Sequence, residues 1–150
     1  AEYGGSDLLC YRAESPAELV ARQAEAWDPL LDWAESALSA RLRTTCGVMH
    51  LEQDRDTLAR LHDEVRLLDI WALTAFHDLV SLSGSLVIGF AALRDHAPVQ
   101  ALWQVSRIDE SWQAEQWGSD EEAEAVAQRK ENDFLNAKRF HDLSRPRRGC

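Results

Sequence analysis

The chain has 150 residues and a mass of 17.0 kDa; 45% of its residues are hydrophobic and 28% are charged. Seven glycines and four prolines exclude a collagen-like or low-complexity chain, and a chain of this length can form one hydrophobic core without disulfide bonds. The formal net charge of −10 argues against a nucleic-acid binder that relies on bulk positive charge. Residues 129–150 are nevertheless basic, so the rest of the chain is strongly acidic and favours a basic partner.

Two short extended segments are predicted near the N-terminus, Leu8–Tyr11 and Thr44–Met49. We expect them to pair either with each other or with a strand outside this chain. Between them, Ser15 and Pro16 predict the start of a helix whose capping box is closed by Glu18. Asp28-Pro29 predicts a sharp turn into a second helix, because a residue that precedes proline avoids the α region. The two predicted helices would therefore form a helical hairpin.

The strongest periodic signal follows. Apolar residues recur every three or four positions from Leu58 to Leu82, which predicts one helix of about seven turns with Gly84 as its C-cap. Its second half, Ile70–Leu82, is expected to be buried nearly all round. Gly84 and Gly89 indicate close helix packing. Three more helices are predicted, over Ser85–Arg94, over Pro98–Trp117, and from a capping box at Ser119–Glu122 to Phe140, followed by a disordered basic tail at Ser144–Arg148.

Cysteine usage and hydropathy suggest an intracellular protein. Cys10, Cys46 and Cys150 are scattered and form no metal or redox motif, so we expect reduced thiols, with Cys10 and Cys46 buried. No secretory signal is visible at the start of the sequence. The longest nearly apolar run, Leu79–Leu93, is shorter than the ~20 residues that a membrane span needs, so we interpret it as core.

Catalytic signatures are missing from the sequence. It contains no dinucleotide-binding or Walker loop, no nucleophile elbow and no HExxH, and its five histidines are not at metal-ligand spacing. We therefore expect no catalytic residues, no cofactor, no metal and no nucleotide binding. The alternative function is a small helical-bundle enzyme or ligand-binding protein with a carboxylate site between helices.

The segment from Arg107 to Glu124 stands out for its charge. It holds seven acidic side chains and no basic one after Arg107, with Trp112 and Trp117 interleaved. One interpretation is a solvated helix face over a tryptophan-anchored core. The other is a protein-binding surface, in which tryptophans act as anchors and carboxylates pair with basic groups of a partner.

Two motifs then carry a resemblance to a known family. The first is Cys10-Tyr11-Arg12 with Gln23 and Trp27-Asp28-Pro29; the second is Ser106-Arg107-Ile108-Asp109-Glu110 with Gln113 and Trp117-Gly118. In this order and separation they resemble the assembly chaperones of the F-type ATP synthase α subunit, over nearly the whole chain. Members of that family have a β-rich N-terminal domain followed by an orthogonal helical bundle.

The resemblance implies an α-rich α+β fold, an orthogonal helical bundle with two short strands near the N-terminus. Residues 1–53 would be a helical hairpin with remnant strands of a mostly absent β-rich domain. Residues 54–150 would be a helical bundle with the disordered basic tail. The implied location is the cytoplasm for a bacterial protein or the mitochondrial matrix for a eukaryotic one.

The implied function is to bind the unassembled α subunit and shield its interface until the β subunit replaces the chaperone, without covalent chemistry. The implied partner is that α subunit, with no nucleic acid and no membrane insertion, and a monomer is expected. The important acidic position of the family falls on Asp109; mitochondrial members have Glu there, and Tyr in place of Trp112. The implied client-binding residues are Asp109, Glu110, Gln113, Trp117 and Glu121, with Asp109 and Glu110 on the exposed side of the Pro98–Trp117 helix.

Overall fold

The computed structural model describes residues 6–47 and 52–144. The fold is α-rich α+β, as predicted: an orthogonal helical bundle with two short strands near its N-terminal end. The elements in this part of the chain are β1 (Tyr11–Arg12), α1 (Ala17–Leu38), β2 (Thr45–Cys46), α2 (Arg55–Arg66), α3 (Ile70–Ser83), α4 (Leu86–Leu93), α5 (Val99–Ser106), α6 (Ile108–Trp117) and α7 (Glu121–Ser144).

The two predicted strands pair with each other. They are parallel, with Tyr11 opposite Thr45 and Arg12 opposite Cys46. The first strand is shorter than predicted because Leu8–Cys10 forms a 3₁₀ turn, whose start is capped by the carboxylate of Asp7. The predicted continuation of the second strand to Met49 lies outside the described residues.

The helical hairpin predicted over residues 1–53 is wrong, because α1 runs without a break through Pro29. Inside a helix, proline removes one hydrogen bond and crowds the carbonyl four residues back, at a cost of about 3 kcal/mol or more, which favourable packing can offset. The α1 residues Trp27, Leu30, Leu31 and Ala34 are buried together on both sides of Pro29, and a break would pull that face apart. Ser15 does not cap α1 either, since the N-cap position is Pro16 and no side chain bonds there. The division of the chain into two domains, residues 1–53 and 54–150, stays a prediction.

The predicted helix from Leu58 to Leu82 is two helices, α2 and α3, separated at Leu67–Asp69. Asp69 is the N-cap of α3 and accepts a hydrogen bond from the Ala72 N–H at 2.7 Å. The prediction that Ile70–Leu82 is buried on nearly all sides is also wrong, since the side chain of Ile70 is 71% exposed and that of Trp71 is 57% exposed. The C-cap prediction is confirmed: Gly84 is left-handed at φ 78°.

The core is centred on α4, whose eight residues are all buried, which confirms the interpretation of the Leu79–Leu93 run as core. A Cβ added to Gly89 would lie 2.7 Å from Val80 Cγ2 and 3.0 Å from Phe76 Cε1, so α3 and α4 need a glycine there to pack this closely. In the described part of the chain no helix is long and apolar enough to cross a membrane. Cys10 is buried as predicted, but Cys46 is exposed.

The predicted helix over Pro98–Trp117 is also two helices, α5 and α6, which meet at Arg107. The last helix begins at Glu121, and its N-terminal cap is Asp120 rather than Ser119, because the Asp120 carboxylate accepts from the Ala123 N–H at 2.6 Å. The predicted disordered tail at Ser144–Arg148 lies outside the described residues, apart from Ser144, which ends α7.

Candidate protein-binding site

The two sequence motifs meet in space where α1 crosses the junction of α5 and α6. Gln23 of α1 donates from Nε2 to Oδ1 of Asp109 at 2.5 Å, although the two residues are 86 positions apart. The Oε1 atom of the same side chain accepts from the Ala13 N–H at 2.8 Å, just beyond β1. The buried amide of Gln23 therefore connects the first motif to the acidic residue of the second.

The break between α5 and α6 is stabilised by Trp27 of the first motif. Its indole N–H donates to the carbonyl oxygen of Val105 at 2.8 Å. In a continuous helix that carbonyl would accept from the N–H of Asp109. The chain instead closes α5 with a bond from the Arg107 N–H to Gln104, three residues back, and starts α6 at Ile108. Asp109 thus lies in the first turn of α6, where the positive end of the helix dipole favours a carboxylate.

A charged contact joins α1 and α6 further along the same face. The guanidinium of Arg22 forms an ion pair with Glu115 and lies over the Trp112 ring, 4.9 Å from its centroid. Both charged side chains are about half exposed, so the pair adds little stability on its own. It does mean that Glu115 and Trp112 are engaged within the chain, on the side of α6 that faces α1.

Three of the five predicted site residues line one surface groove. This groove, about 830 Å³ in volume, lies between α5, α6 and the first half of α7, and Asp109, Glu110 and Gln113 line it. Trp117 and Glu121 are not among its lining residues. They stand at the two ends of the loop 118–120, which lines the groove. Trp117 is 85% exposed, the most exposed large apolar side chain among the described residues.

The predicted exposure of Asp109 and Glu110 is confirmed for Glu110 but not for Asp109. Glu110, Gln113, Trp117 and Glu121 are exposed, whereas Asp109 is half-buried because Gln23 lies against it. The sequence placed Asp109 and Glu110 inside one helix over Pro98–Trp117, and they lie instead in the first turn of α6.

The groove is strongly acidic. Its lining includes five carboxylates and one guanidinium, that of Arg107, which lies 3.9 Å from Glu110 and stacks over Trp103. The α7 carboxylates, Glu124 and Glu131, are seven residues apart and hence separated by about 10 Å along the helix. They are spread along the groove rather than converging on one point, a distribution that suits several separate contacts with an extended basic surface. No group of three metal-ligating side chains occurs within residues 6–47 and 52–144.

Gln23 belongs to the first motif, but the sequence indicated no role for it, and nothing in the sequence indicated that Arg22 lies near the site. No local signal marks Arg22, since an arginine on an exposed helix face is ordinary. Gln23 carried one signal: a polar residue on the apolar face that also holds Leu19, Val20 and Trp27. A buried amide of this kind needs partners for both of its ends.

The structure thus defines a helical protein with an acidic, tryptophan-flanked groove, and comparison with known proteins identifies its family. The sequence profile described as ATP12 chaperone protein matches residues 1–35. The mitochondrial protein atp12 of Schizosaccharomyces pombe is 27% identical over 124 residues, which are 79% of this chain and 43% of that protein.

Solved structures agree with this match. The crystal structure of Atp12 from Paracoccus denitrificans superposes with a TM-score of 0.93 at 50% identity, covering 96% of this chain and 62% of that one. A crystal structure from Agrobacterium tumefaciens gives 0.86 at 38% identity, covering 94% and 53%. The chain therefore belongs to the ATP12 chaperone family, as the two motifs suggested, and spans 43% to 62% of the length of these relatives.

Proposed function

We propose that this chain is an assembly chaperone of the F-type ATP synthase, which binds the unassembled α subunit and shields its interface until the β subunit takes its place. The observation that carries the proposal is the match to Atp12 at a TM-score of 0.93 and 50% identity, together with both motifs. The proposed activity is binding by a monomer, without covalent chemistry. The proposed location is the cytoplasm if the source is bacterial and the mitochondrial matrix if it is eukaryotic.

The acidic groove is the proposed client-binding site, with Asp109, Glu110, Gln113, Trp117 and Glu121 as its contact residues. Two features support this assignment. The groove carries five carboxylates against one guanidinium, so it attracts a basic surface and repels an acidic one. Trp117, at its edge, offers a large apolar side chain to solvent, and tryptophan is among the residues that contribute most to protein interfaces.

A mixed charged and apolar surface also fits the exchange that an assembly chaperone must perform. An isolated ring subunit exposes a large interface that is prone to aggregate. A chaperone that covers this interface has to release it to the proper neighbour. Charge pairs give orientation and selectivity, and they add less net affinity than a fully apolar seal of the same area.

The test is capture of purified α subunit by this chain, measured as suppression of aggregation and as a dissociation constant. Glu110→Lys combined with Glu121→Lys is expected to weaken capture at least tenfold, because both exposed contacts change from attraction to repulsion. Trp117→Ala is expected to weaken capture through loss of the anchor. Melting of each variant, followed by circular dichroism, is expected to stay close to wild type, since exposed substitutions change stability by about 0.5 kcal/mol or less.

The control is Asp63→Lys, which reverses one charge, as each of the two groove substitutions does by itself, on the exposed face of α2 and away from the groove. It should leave capture unchanged. A wild-type chain that neither binds the α subunit nor slows its aggregation would refute the proposed function. Equal losses for Asp63→Lys and for the groove variants would instead show that overall charge, rather than this groove, governs binding.

A further inference from the structure

We propose that Gln23 is a positioning residue, which holds the carboxylate of Asp109 in the orientation that a client requires. This inference rests on the proposed function, since it assigns Gln23 a role in that same binding site. Gln23 itself is only 2% exposed and so cannot touch a partner. Its effect on binding would pass entirely through Asp109.

The orientation of the Gln23 amide follows from its neighbours. The Ala13 N–H can only donate, so the oxygen of the amide must face it, and the distance between them is 2.8 Å. The Nε2 group is then directed to Asp109, whose ionised carboxylate can only accept, at 2.5 Å. Both ends of the amide are therefore fixed by partners of opposite type, and a flip of the amide would break both bonds.

This arrangement leaves one carboxylate oxygen for a partner. Oδ1 of Asp109 accepts from Gln23, while Oδ2 accepts no hydrogen bond from any residue that the structure describes, and Asp109 lines the groove. A carboxylate that is already immobilised loses less conformational freedom when it pairs with a basic group. The same principle explains why residues that orient a metal ligand or a catalytic side chain matter although they touch no substrate.

The bond also ties the groove to the N-terminal part of the fold. Gln23 is held by the backbone that leaves β1, while Asp109 opens α6. A displacement of β1 relative to α1 would therefore move the carboxylate in the groove. Glutamine is the residue that fits this task, because glutamate at this position would place a second carboxylate against Asp109, and leucine would leave the Ala13 N–H unpaired.

The experiment exchanges the donor and the acceptor. Asp109→Asn keeps an oxygen that can accept from Gln23 but removes the charge. Gln23→Glu keeps the bond to Ala13 but sets two carboxylates against each other. The double variant, Gln23→Glu with Asp109→Asn, rebuilds the hydrogen bond with its polarity reversed, because the asparagine amide now donates to the glutamate. Each variant is compared with wild type for melting and for capture of isolated α subunit.

We expect Gln23→Glu to lower the melting temperature and to weaken capture by about tenfold or more, the range for loss of a charge-assisted hydrogen bond. The double variant should recover melting but not capture, since the charge then lies on the buried residue instead of in the groove. Asp109→Asn should retain melting and lose capture, and adding Gln23→Glu to it should cause no further loss of capture. Gln100→Glu, on the exposed side of α5, is the matched control and should change neither.

Recovery of capture together with melting in the double variant would overturn the inference, because the network would then be purely structural. Unchanged capture by Gln23→Glu would overturn it equally. If Gln23→Glu does not fold, the double variant and Asp109→Asn still provide the comparison. Failure of the wild-type chain to capture the α subunit is a different result, which refutes the proposed function itself.

Discussion

The indole N–H of Trp27 donates to the carbonyl oxygen of Val105 at 2.8 Å, and 78 positions of sequence separate the two residues. Trp27 is completely buried, and the guanidinium of Arg12 lies 5.4 Å from its ring centroid. Together with the Gln23–Asp109 bond, this contact holds α1 against the junction of α5 and α6. It thereby sets where α6, and the groove beside it, begin.

Trp27→Phe should therefore destabilise the protein. The variant removes the donor to Val105 and leaves unfilled volume in the core, which together should lower the free energy of unfolding by about 2–4 kcal/mol. Urea unfolding followed by circular dichroism measures the change. Trp71→Phe, a matched substitution of a tryptophan that is 57% exposed, should cost about 0.5 kcal/mol or less. If the two variants lowered the free energy of unfolding equally, the contact between Trp27 and Val105 would contribute nothing to stability.

Because the apolar pattern from Leu58 to Leu82 is divided between α2 and α3, replacing its leucines by alanine should destabilise the protein to different extents. Leu79 is fully buried, so Leu79→Ala should lower the free energy of unfolding by about 2–5 kcal/mol. Leu67→Ala, at a side chain 80% exposed in the break between the helices, should have almost no effect. Leu68 belongs to the same apolar pattern but is only half-buried, so the effect of Leu68→Ala on stability should fall between the other two. Thermal melting of the three variants ranks these effects, and a reversed order would contradict the helix break.

The buried carboxyl of Asp7 should make stability depend on pH. Its two oxygens accept from the N–H groups of Leu9 at 3.0 Å and Val87 at 3.1 Å, yet burial raises the pKa of Asp7 above its ordinary value of 3.8. A group whose pKa is higher in the folded state binds more protons there than in the unfolded chain. Its contribution to stability is therefore fully present below the unfolded pKa and is lost as the pH rises through the folded one.

Asp7→Asn removes this titration while preserving the shape of the side chain. The free energy of unfolding of wild type minus that of Asp7→Asn should therefore fall as the pH is raised from about 4 to about 7. Urea titrations at several pH values measure the difference. Asp63→Asn, on the exposed face of α2, is measured alongside as a control for the loss of a carboxylate that is not buried. A difference that grows with pH would show that the hydrogen bonds outweigh burial.

The two described cysteines should react very differently. Burial raises the pKa of the Cys10 thiol to about 12, so almost no thiolate is present near neutral pH, whereas Cys46 is exposed. In the native protein, iodoacetamide at about pH 8 should modify Cys46 and leave Cys10 unmodified, and both should react in denaturant. Peptide mass spectrometry of the Cys150→Ser variant measures the extent of modification of Cys46 relative to that of Cys10. Equal native rates would mean that the N-terminal segment around Cys10 opens readily.

Local sequence rules succeeded where a short stretch of chain decides the outcome. The left-handed C-cap at Gly84, the close packing at Gly89 and the buried apolar run to Leu93 were all predicted, because each depends on backbone freedom, side-chain size or hydropathy over a few residues. The two motifs were sufficient to identify the family. The sequence predicted both short strands but left open whether they pair with each other, which the structure shows they do.

Rules based on periodicity and proline failed where distant contacts decide the outcome. The apolar spacing from Leu58 to Leu82 continues across a break, because periodicity records which side chains point inward and not whether the backbone hydrogen bonds are continuous. Pro29 was expected to end a helix, but burial of the shared apolar face of α1 outweighs the lost hydrogen bond and the steric crowding that proline causes.

The sequence by itself determined the fold class, the family and the acidic character of the segment after Arg107, since composition and motifs carry these directly. Only the tertiary structure decided that Asp109 is half-buried and bonded to Gln23, and that the carboxylates of α6 and α7 share one groove. Contacts across 86 positions leave no periodic trace in the chain, because a hydrogen bond between distant residues depends on where the core brings their backbones together.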